Sequence, residues 1–478
     1  MQGGEPEGVN VEGRWRAFAA VAPAIFISIL DLFIVNVAFP DISRDFSDAT
    51  LSSLSWVLNA YTIVFAALLV PLGKLGDVVG RKKVFQIGLV VFVAGSGLCA
   101  AAPGHESLIA ARVLQGVGAA AITPNSLGLV LPMFPAGQRA AAIGAWAALG
   151  GVGAAMGPPL GGLLTELSWR WIFVVNIPIG LVTVLVVQRR LQELRDPRAL
   201  LPDAVGSVLA VATVGLLVLG LVKGHDWSWD ERSLGCFAAA VVIGALFVLR
   251  SLRHRAPVIE LDLFRSPAFS LANAAQLLFY AGFGAFLLGG VLFLTEVWGY
   301  SVLRAGFGFA PGAVMATIFA GIASRLAERV GPATLGAPGG LMFAVGTGLW
   351  TGLGPEHEYV THYLIPMLIG GAGVGLILPA FTAAAVLAVP EERLATGIAG
   401  LATSRQVGAA VGVAAFVALF GTPGPTGILE AFDRSWIYMS LCSTAAGLIL
   451  LGLGLFTRRR EPAAPVEAPP QAGLEPAI

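Results

Sequence analysis

Charged residues are scarce in this sequence. Asp, Glu, Lys and Arg make up 12% of its 478 residues, whereas hydrophobic residues make up 56%. A soluble protein carries about 25% charged residues, so this chain cannot cover a water-facing surface with polar groups. Its mean hydropathy of +0.81 indicates a protein whose solvent is lipid. The net charge of zero offers no attraction to nucleic acid, and we expect no nucleic-acid partner.

Cysteine and histidine are also rare. The three cysteines, Cys99, Cys236 and Cys442, lie in or beside apolar runs without the spacing of a metal site. The five histidines fall in loops or at the ends of apolar runs. The sequence contains no phosphate-binding glycine loop, His-Glu-x-x-His motif or nucleophile elbow. We therefore expect no disulfide framework, no metal, no cofactor and no enzyme activity.

Long apolar runs, in contrast, are abundant. A membrane-spanning helix needs about 20 mostly apolar residues. Fourteen such runs follow one another: 16–39, 54–73, 84–102, 106–131, 139–163, 170–188, 203–222, 234–251, 268–292, 303–322, 332–352, 361–387, 395–420 and 436–457. Because the runs are continuous rather than alternating, they favour helices over a β-barrel. The sequence predicts an all-α membrane protein with 14 transmembrane helices, numbered here as spans 1 to 14.

Lys and Arg fall mainly on one side of these spans. With the N-terminus inside, cytoplasmic segments carry 21 of the 29 Lys and Arg residues, and outer loops carry six. Cytoplasmic loops of membrane proteins are enriched in Lys and Arg. We expect a multi-pass protein of the cell inner (cytoplasmic) membrane, surrounded by membrane lipid, with both termini in the cytoplasm.

Two parts of the sequence resemble each other. The turns after spans 2 and 10 share a Leu, an acid and a Gly in one register, and spans 4 and 12 share a Gly-x-Gly followed by a Pro at the same offset. Parallel repeated halves are a known transporter plan. The predicted division comprises a cytoplasmic segment 1–15, six-helix bundles at 16–190 and 266–457, linkers and inserted spans 7 and 8 at 191–265, and a disordered tail at 458–478.

One carboxylate, Asp31, lies deep within an apolar run. An ionised Asp near mid-bilayer costs roughly 2.5–3.5 kcal/mol. Asp31 should therefore face a wet cavity, pair with a cation or carry a proton. The alternative is an Asp that only bonds neighbouring backbone or amide groups inside the helix bundle.

Arg112 in span 4 is the candidate partner of Asp31. Arginine keeps its charge and must find acceptors. At the rise of an α-helix, Arg112 lies about 10 Å and Asp31 about 13 Å from the outer face. We hypothesise that Arg112 lowers the proton affinity of Asp31 in one conformation and withdraws in another, which would couple transport to protons. The alternatives are a static ion pair and an arginine bonded to helix carbonyls.

The turn between spans 2 and 3 combines glycine with charge, in Gly73, Asp77, Gly80 and Arg81. An acid beside basic groups at a helix end can form a charge-assisted latch. A latch that differs between two conformations biases their equilibrium. We predict an inner gate here, and the alternative is a basic loop that only sets topology.

Span 5 contains a cluster of small residues and proline: Gly153, Gly157, Pro158, Gly161 and Gly162. Small residues four apart allow helices to approach closely, and proline bends a membrane helix. The cluster predicts a bendable gate between the halves, with ordinary small-residue packing as the alternative.

Polar residues inside other spans are candidates for a substrate cavity. They are Asn36, Asn59, Gln115, Tyr280, Arg405 and Gln406. The alternative for each is a hydrogen bond that only holds helices together. Met367 stands where the second repeat would place an equivalent of Arg112, so the charged residues are distributed asymmetrically.

These motifs resemble the major facilitator superfamily, and within it the fourteen-helix drug/proton antiporter branch that includes bacterial multidrug and quaternary-ammonium exporters. The resemblance runs through residues 30–40, 73–83, 112–120 and 153–162 and covers most of the chain. It implies that Asp31 and Arg112 act in proton coupling, that the span 2–3 turn is the inner gate, and that the span 5 cluster belongs to antiport.

The sequence departs from the family pattern at three points. Val78 replaces a usual basic residue, Phe33 replaces a usual Thr, and no second-half membrane carboxylate is found. The last departure argues against dications and favours neutral, zwitterionic or monocationic amphiphiles.

The predicted function is a proton-coupled antiporter that exports amphipathic small molecules, such as drugs or antibiotics, by alternating access. Its expected partners are a small-molecule substrate and protons, and we expect a monomer. The alternative is a dedicated exporter of a single metabolite or self-made antibiotic. A membrane-embedded sensor or enzyme is the alternative from another class, but every loop is too short to supply a soluble domain.

Overall fold

The computed structural model describes residues 11–196, 199–386, 388–389, 393–424 and 427–458, and the described part is built of helices without β-strands. The predicted segment 1–15, up to residue 10, and the predicted tail, from residue 459, lie outside the described residues. The long helices are α1 (Val11–Asp45), α2 (Trp56–Val79), α3 (Arg81–Ala100), α4 (His105–Val130), α5 (Ala136–Thr165), α6 (Asn176–Arg190), α7 (Ala204–Gly224), α8 (Glu231–Arg253), α9 (Pro267–Leu292), α10 (Val302–Val330), α11 (Pro332–Gly348), α12 (Ile365–Val386), α13 (Leu394–Phe420) and α14 (Ile428–Arg458).

Each long helix overlaps one of the predicted spans. Within the described residues, thirteen are long and apolar enough to cross a membrane. The remaining one, α11, has 17 residues, which is the lower limit for a spanning helix. The predicted all-α architecture of 14 helices is therefore confirmed. The predicted ends were less accurate, since α1 begins at Val11 and continues through Pro40 to Asp45.

The two six-helix halves repeat one packing pattern. In the first half α1 packs on α5, α2 on α4 and α3 on α4. In the second half α9 packs on α13, α10 on α12 and α11 on α12, each pair eight helices further along the chain. The halves meet where α5 packs on α10 and where α2 packs on α13, two contacts that the repeat also relates to each other.

The repeat extends to individual close approaches of the backbone. A Cβ atom on Gly118 of α4 would lie 2.5 Å from the Phe92 nitrogen of α3. A Cβ atom on Gly373 of α12 would lie 2.6 Å from the Phe343 nitrogen of α11. Both helix pairs approach more closely than any larger residue allows, and this correspondence supports the sequence duplication.

The inserted helices α7 and α8 pack on each other, and α7 also contacts α2 and α13. The buried carboxylate of Asp203 caps α7 by accepting from the Gly206 amide at 2.9 Å, and it accepts from Arg250 Nε of α8 at 2.8 Å. Burial opposes ionisation of Asp203, but these hydrogen bonds outweigh burial and hold its pKa below the ordinary value. Helix α7 of the inserted pair thus lies against both helices of the α2–α13 contact between the halves.

The interiors of the two halves differ in chemistry. The second half is filled with aromatic rings: Phe286 stacks on Trp350, and Trp350 stacks on Tyr363 with ring centroids 4.5 Å apart. The first half instead contains a buried ion pair, whereas buried amides occur in both halves. The predicted limits of the halves, 16–190 and 266–457, stay predictions.

Candidate functional site

The centre of the first half is an ion pair between Arg112 Nη1 of α4 and Asp31 Oδ2 of α1. Their side chains are 1% and 0% exposed. Removing one partner of such a buried pair typically costs about 3–5 kcal/mol, because the other charge is left uncompensated. The structure thus places the two residues in contact, and their role in proton coupling stays a prediction.

Amides complete the shell around the carboxylate. Gln115 donates to Asp31 Oδ1 at 2.7 Å and accepts from Arg112 at 2.6 Å. Asn176 of α6 donates to the same oxygen at 3.3 Å. Gln115 and Asn176 both also donate to Ser96 of α3, at 2.7 and 3.1 Å. Asp31 is therefore held by three donors from two helices.

Sequence reasoning missed Asn176 and Ser96. Both are uncharged polar residues in apolar spans, which is also the pattern of a residue that only joins neighbouring helices. Gln115, predicted as a cavity residue, belongs to the ion-pair shell instead. Only the fold shows that α3 and α6 bring these side chains to Asp31.

Arg112 is held from its other sides as well. Its Nε donates to the Val57 carbonyl at 3.0 Å, and its guanidinium carbon lies 4.1 Å from the centroid of the Tyr61 ring. A cation over an aromatic face is attracted by the ring quadrupole, more strongly where water is excluded. The arginine charge is thus compensated by one carboxylate and by the ring.

A small cavity of about 40 Å³ lies between the halves. Its wall is formed by residues of α1, α2 and α4 on one side and of α9 and α13 on the other. Its polar lining consists of Asn36, Thr62, Arg112, Tyr280 and Gln406. Asp31 is not part of the lining, so Arg112 stands between the carboxylate and the cavity.

Three of the predicted cavity residues line this space: Asn36, Tyr280 and Gln406. Arg405 does not line it, but its charge acts on the neighbouring Tyr280 hydroxyl. Asn59 is fully buried, and neither of its amide atoms has a hydrogen-bond partner within the described residues. The structure therefore brings three of the six predicted cavity residues together around one space between the halves.

At the C-terminal end of α2 the structure brings two of the predicted gate residues into contact. Asp77 and Arg81 form an ion pair of 2.5 Å. Gly80 connects α2 to α3 with a φ of +126°, a conformation that favours glycine. Arg81 lies against α4, where a Cβ atom on Gly128 would overlap its guanidinium.

The segment after α6 binds this turn, which sequence reasoning did not predict. The Glu193 carboxylate accepts from the backbone amides of Lys82 and Lys83 at 2.9 and 3.1 Å. These amides lie in the first turn of α3, where unpaired N–H groups and the helix dipole favour an anion. The Arg81 amide also donates to the Leu194 carbonyl at 2.8 Å.

The small residues of α5 face both α1 and the second half. Cβ atoms on Gly157 and Gly161 would lie 2.6 and 3.0 Å from Phe33 and Ile34 of α1. A Cβ atom on Gly153 would lie 3.3 Å from the Leu30 nitrogen, next to Asp31.

On its other face α5 packs against α10. A Cβ atom on Gly162 would lie 2.8 Å from Leu303 Cα, and a Cβ atom on Gly306 would lie 2.4 Å from the Pro158 carbonyl. These residues lie near the C-terminal end of α5 and the N-terminal end of α10. The cluster therefore brings the two halves together at this end.

The sequence and the fold are similar to those of known membrane transporters. Residues 21–413 match the profile of the Major Facilitator Superfamily. The multidrug resistance protein Stp of Mycobacterium tuberculosis is 34% identical over 401 residues, which cover 83% of this chain and 74% of that protein. The probable actinorhodin transporter of Streptomyces coelicolor is 34% identical over 423 residues, 85% of this chain and 72% of that protein.

Among solved structures, a D-xylose-proton symporter aligns with a TM-score of 0.67 and 14% identity, covering 91% of this chain and 97% of that one. At this identity the likeness shows the fold. The chain therefore shares its fold with a transporter of known structure.

Proposed function

This chain belongs to the Major Facilitator Superfamily, and from that premise we propose that it is a proton-coupled antiporter that exports amphipathic small molecules, including drugs or antibiotics. The observation that carries the proposal is the fully buried Asp31–Arg112 pair beside a cavity between the halves. The printed names of its relatives, a multidrug resistance protein and an antibiotic transporter, support export of such molecules.

The coupling follows from what a proton does to the pair. Protonation of Asp31 removes its charge and leaves Arg112 with one fewer anion, while Arg112 also faces the cavity. A free guanidinium then gains by turning to water or substrate, because a buried unpaired charge is costly. Proton binding at Asp31 and the state of the cavity are thereby linked through one side chain.

The same geometry supports alternating access. The contact of α5 with α10 closes one end of the space between the halves. Opening that end requires the Gly162–Leu303 and Pro158–Gly306 contacts to separate, whereas the Asp77–Arg81 turn lies at the other end of the bundle. A rocking of the halves about the cavity would exchange one opening for the other.

The orientation proposed is N-terminus inside, in the inner membrane, because 21 of 29 Lys and Arg residues then face the cytoplasm. That choice places the turn at Arg81 on the cytoplasmic side and the Gly162 contact on the outer side. The fourteen helices return the chain to the side on which it began, so the C-terminus is cytoplasmic as well. We propose that one chain, as a monomer, contains the complete pathway.

Everted membrane vesicles test the function. Vesicles that contain the full chain should accumulate a fluorescent amphiphile when the vesicle interior is more acidic than the outside. Collapse of this pH gradient should release the amphiphile. Accumulation that is unchanged by collapse of the gradient would contradict proton coupling. Vesicles without the protein serve as the control.

A second candidate is a dedicated exporter of one metabolite, which the similarity to the actinorhodin transporter favours. Competition between structurally unrelated compounds separates the two. Broad mutual inhibition supports multidrug export, whereas inhibition by one compound class supports a dedicated exporter.

A further inference from the structure

The second-half wall of the cavity contains a polar side chain without a partner. Gln406 lines the cavity and is 1% exposed, and neither its Nε2 nor its Oε1 has a hydrogen-bond partner among the described residues. Buried amides are almost always paired, because an unsatisfied donor or acceptor loses its hydration without compensation. Gln406 is therefore positioned to bind something that enters the cavity.

The opposite wall offers a second unpaired atom. Asn36 of α1 also lines the cavity, and its Nδ2 donates to the Leu32 carbonyl at 2.9 Å. Its Oδ1 has no partner in the described part of the chain. Both halves thus present amide groups to the same space.

The charge around the cavity is positive. Arg112 is matched by Asp31, but the structure shows no carboxylate within ion-pair distance of Arg405 in the described residues. Arg405 is partly buried, and its Nε is buried without a hydrogen-bond partner among the residues described. One of its polar neighbours is the hydroxyl of Tyr280, a residue that lines the cavity.

Negative charge is absent from the cavity wall itself. None of the lining side chains that the structure describes is Asp or Glu. Among the described lining residues Arg112 carries a charge, and Asp31 compensates it, so the uncompensated charge near the cavity is that of Arg405. This positive charge repels an organic cation and attracts an anion, more strongly in a medium of low dielectric constant.

We propose that Arg405 and Gln406 are specificity-determining residues that bind the anionic group of the exported molecule, and that the transported class is amphiphilic organic anions. This rests on the proposed function. The guanidinium supplies a charge-assisted hydrogen bond to a carboxylate, phenolate or sulfonate, and Gln406 supplies a second donor. The Phe33 and Phe283 rings, which meet across the cavity at 6.5 Å, take the apolar body.

The present volume of the cavity agrees with a closed state. A cavity of about 40 Å³ has room for only a few water molecules, since one water needs about 10–15 Å³. An amphiphile is admitted only when the halves separate, which moves Gln406 and Arg405 away from Asn36. Binding of the anion to the second half alone would then keep it anchored while the first half moves.

The experiment uses the purified full chain in proteoliposomes with an imposed pH gradient and three probes: anilinonaphthalene sulfonate, its neutral counterpart phenylnaphthylamine, and the cation ethidium. The measured quantity is the initial rate for each probe. The wild type should transport the sulfonate faster than ethidium. Arg405→Gln should lower the ratio of sulfonate to phenylnaphthylamine rates about tenfold or more, the usual effect of losing a charge-assisted hydrogen bond.

Matched variants separate charge recognition from folding. Arg405→Lys should restore part of the ratio, because the charge is kept. Arg304→Gln is the control, since Arg304 also lies beside a tyrosine, 3.7 Å from the Tyr300 ring centroid, but is exposed at the start of α10. Gln406→Glu, which places a carboxylate on the wall, should raise the ethidium rate relative to the sulfonate rate.

Two results would overturn the inference: a wild type that prefers ethidium, or an Arg405→Gln variant whose rate ratio equals that of the wild type. Failure of folded wild type to move any probe in response to the gradient would instead contradict the proposed function, and the inference with it.

Discussion

Replacing Asp31 by Asn tests the central step of the proposed mechanism. The two side chains have nearly the same shape, but Asp31 accepts hydrogen bonds on both oxygens, from Arg112 on one and from Gln115 and Asn176 on the other. Asn has one oxygen and one NH2 group, so whichever way it turns, its NH2 group faces a donor. The variant therefore loses the ion pair and at least one hydrogen bond.

The magnitude follows from burial. An uncompensated Arg112 that is 1% exposed should cost about 3–5 kcal/mol, and the loss of one further bond about 1 kcal/mol. We expect a lower thermal unfolding temperature in detergent and, in everted vesicles, loss of accumulation driven by the pH gradient. Asp31→Glu keeps the charge and should retain part of both.

A double variant makes this prediction specific to the pair. Asp31→Asn combined with Arg112→Gln removes both charges, and its stability loss should be smaller than the sum of the two single losses, by about 1–3 kcal/mol. Uphill transport by Asp31→Asn with an unchanged dependence on the pH gradient would refute the reasoning, whatever the stability of the variant.

Three other predictions concern packing, shell and linker. Gly162→Ala places a methyl group 2.8 Å from Leu303 Cα and should weaken the contact between α5 and α10 by about 1–3 kcal/mol. The export rate of this variant should therefore fall. Gly144→Ala is the control and should export normally, because the space around Gly144 is open. Asn176→Leu removes a donor to Asp31 and to Ser96 and should lower stability by about 1–3 kcal/mol; an unchanged unfolding temperature would show that these bonds do not hold the shell together. Asp203→Asn should lower stability by about 1–3 kcal/mol at neutral pH. The pKa of Asp203 is lower in the folded than in the unfolded state. The stability difference between wild type and Asp203→Asn, measured from unfolding temperatures, should therefore be full above about pH 4 and should shrink as the pH falls towards the folded pKa. A stability difference that is constant with pH would contradict the role of the ionised Asp203 carboxylate.

The fold was predictable because lipid imposes a simple rule on sequence. A helix that crosses a membrane must be apolar along its length, so fourteen runs of residues became fourteen helices. Helix ends were predicted less well, because the chain continues as helix beyond the apolar region, as α1 does from Pro40 to Asp45. Nothing in the local sequence marks that continuation.

The site was predictable only where a residue is out of place in lipid. Asp31 and Arg112 are charges in apolar runs, and their contact follows from matching depth. Asn176 and Ser96 carry no charge, so a sequence cannot distinguish them from residues that join helices. Glu193 lies in a linker between helices, and its bond to the α3 amides depends on where the chain returns after α6.

The duplicated architecture explains why the buried ion pair lies in one half and the aromatic interior with Gln406 lies in the other. Repeated halves give equivalent helix contacts, such as α5 on α10 and α2 on α13, and these provide a symmetric frame for rocking. A second buried ion pair at the equivalent position of the second half would be a disadvantage, because both pairs would have to be desolvated. Here the first half holds the one described buried pair, and the second half presents Gln406 from a largely aromatic interior. Arg112 belongs to the pair and to the cavity wall at once, so in the proposed mechanism a proton gained by Asp31 would change the surface that a substrate meets.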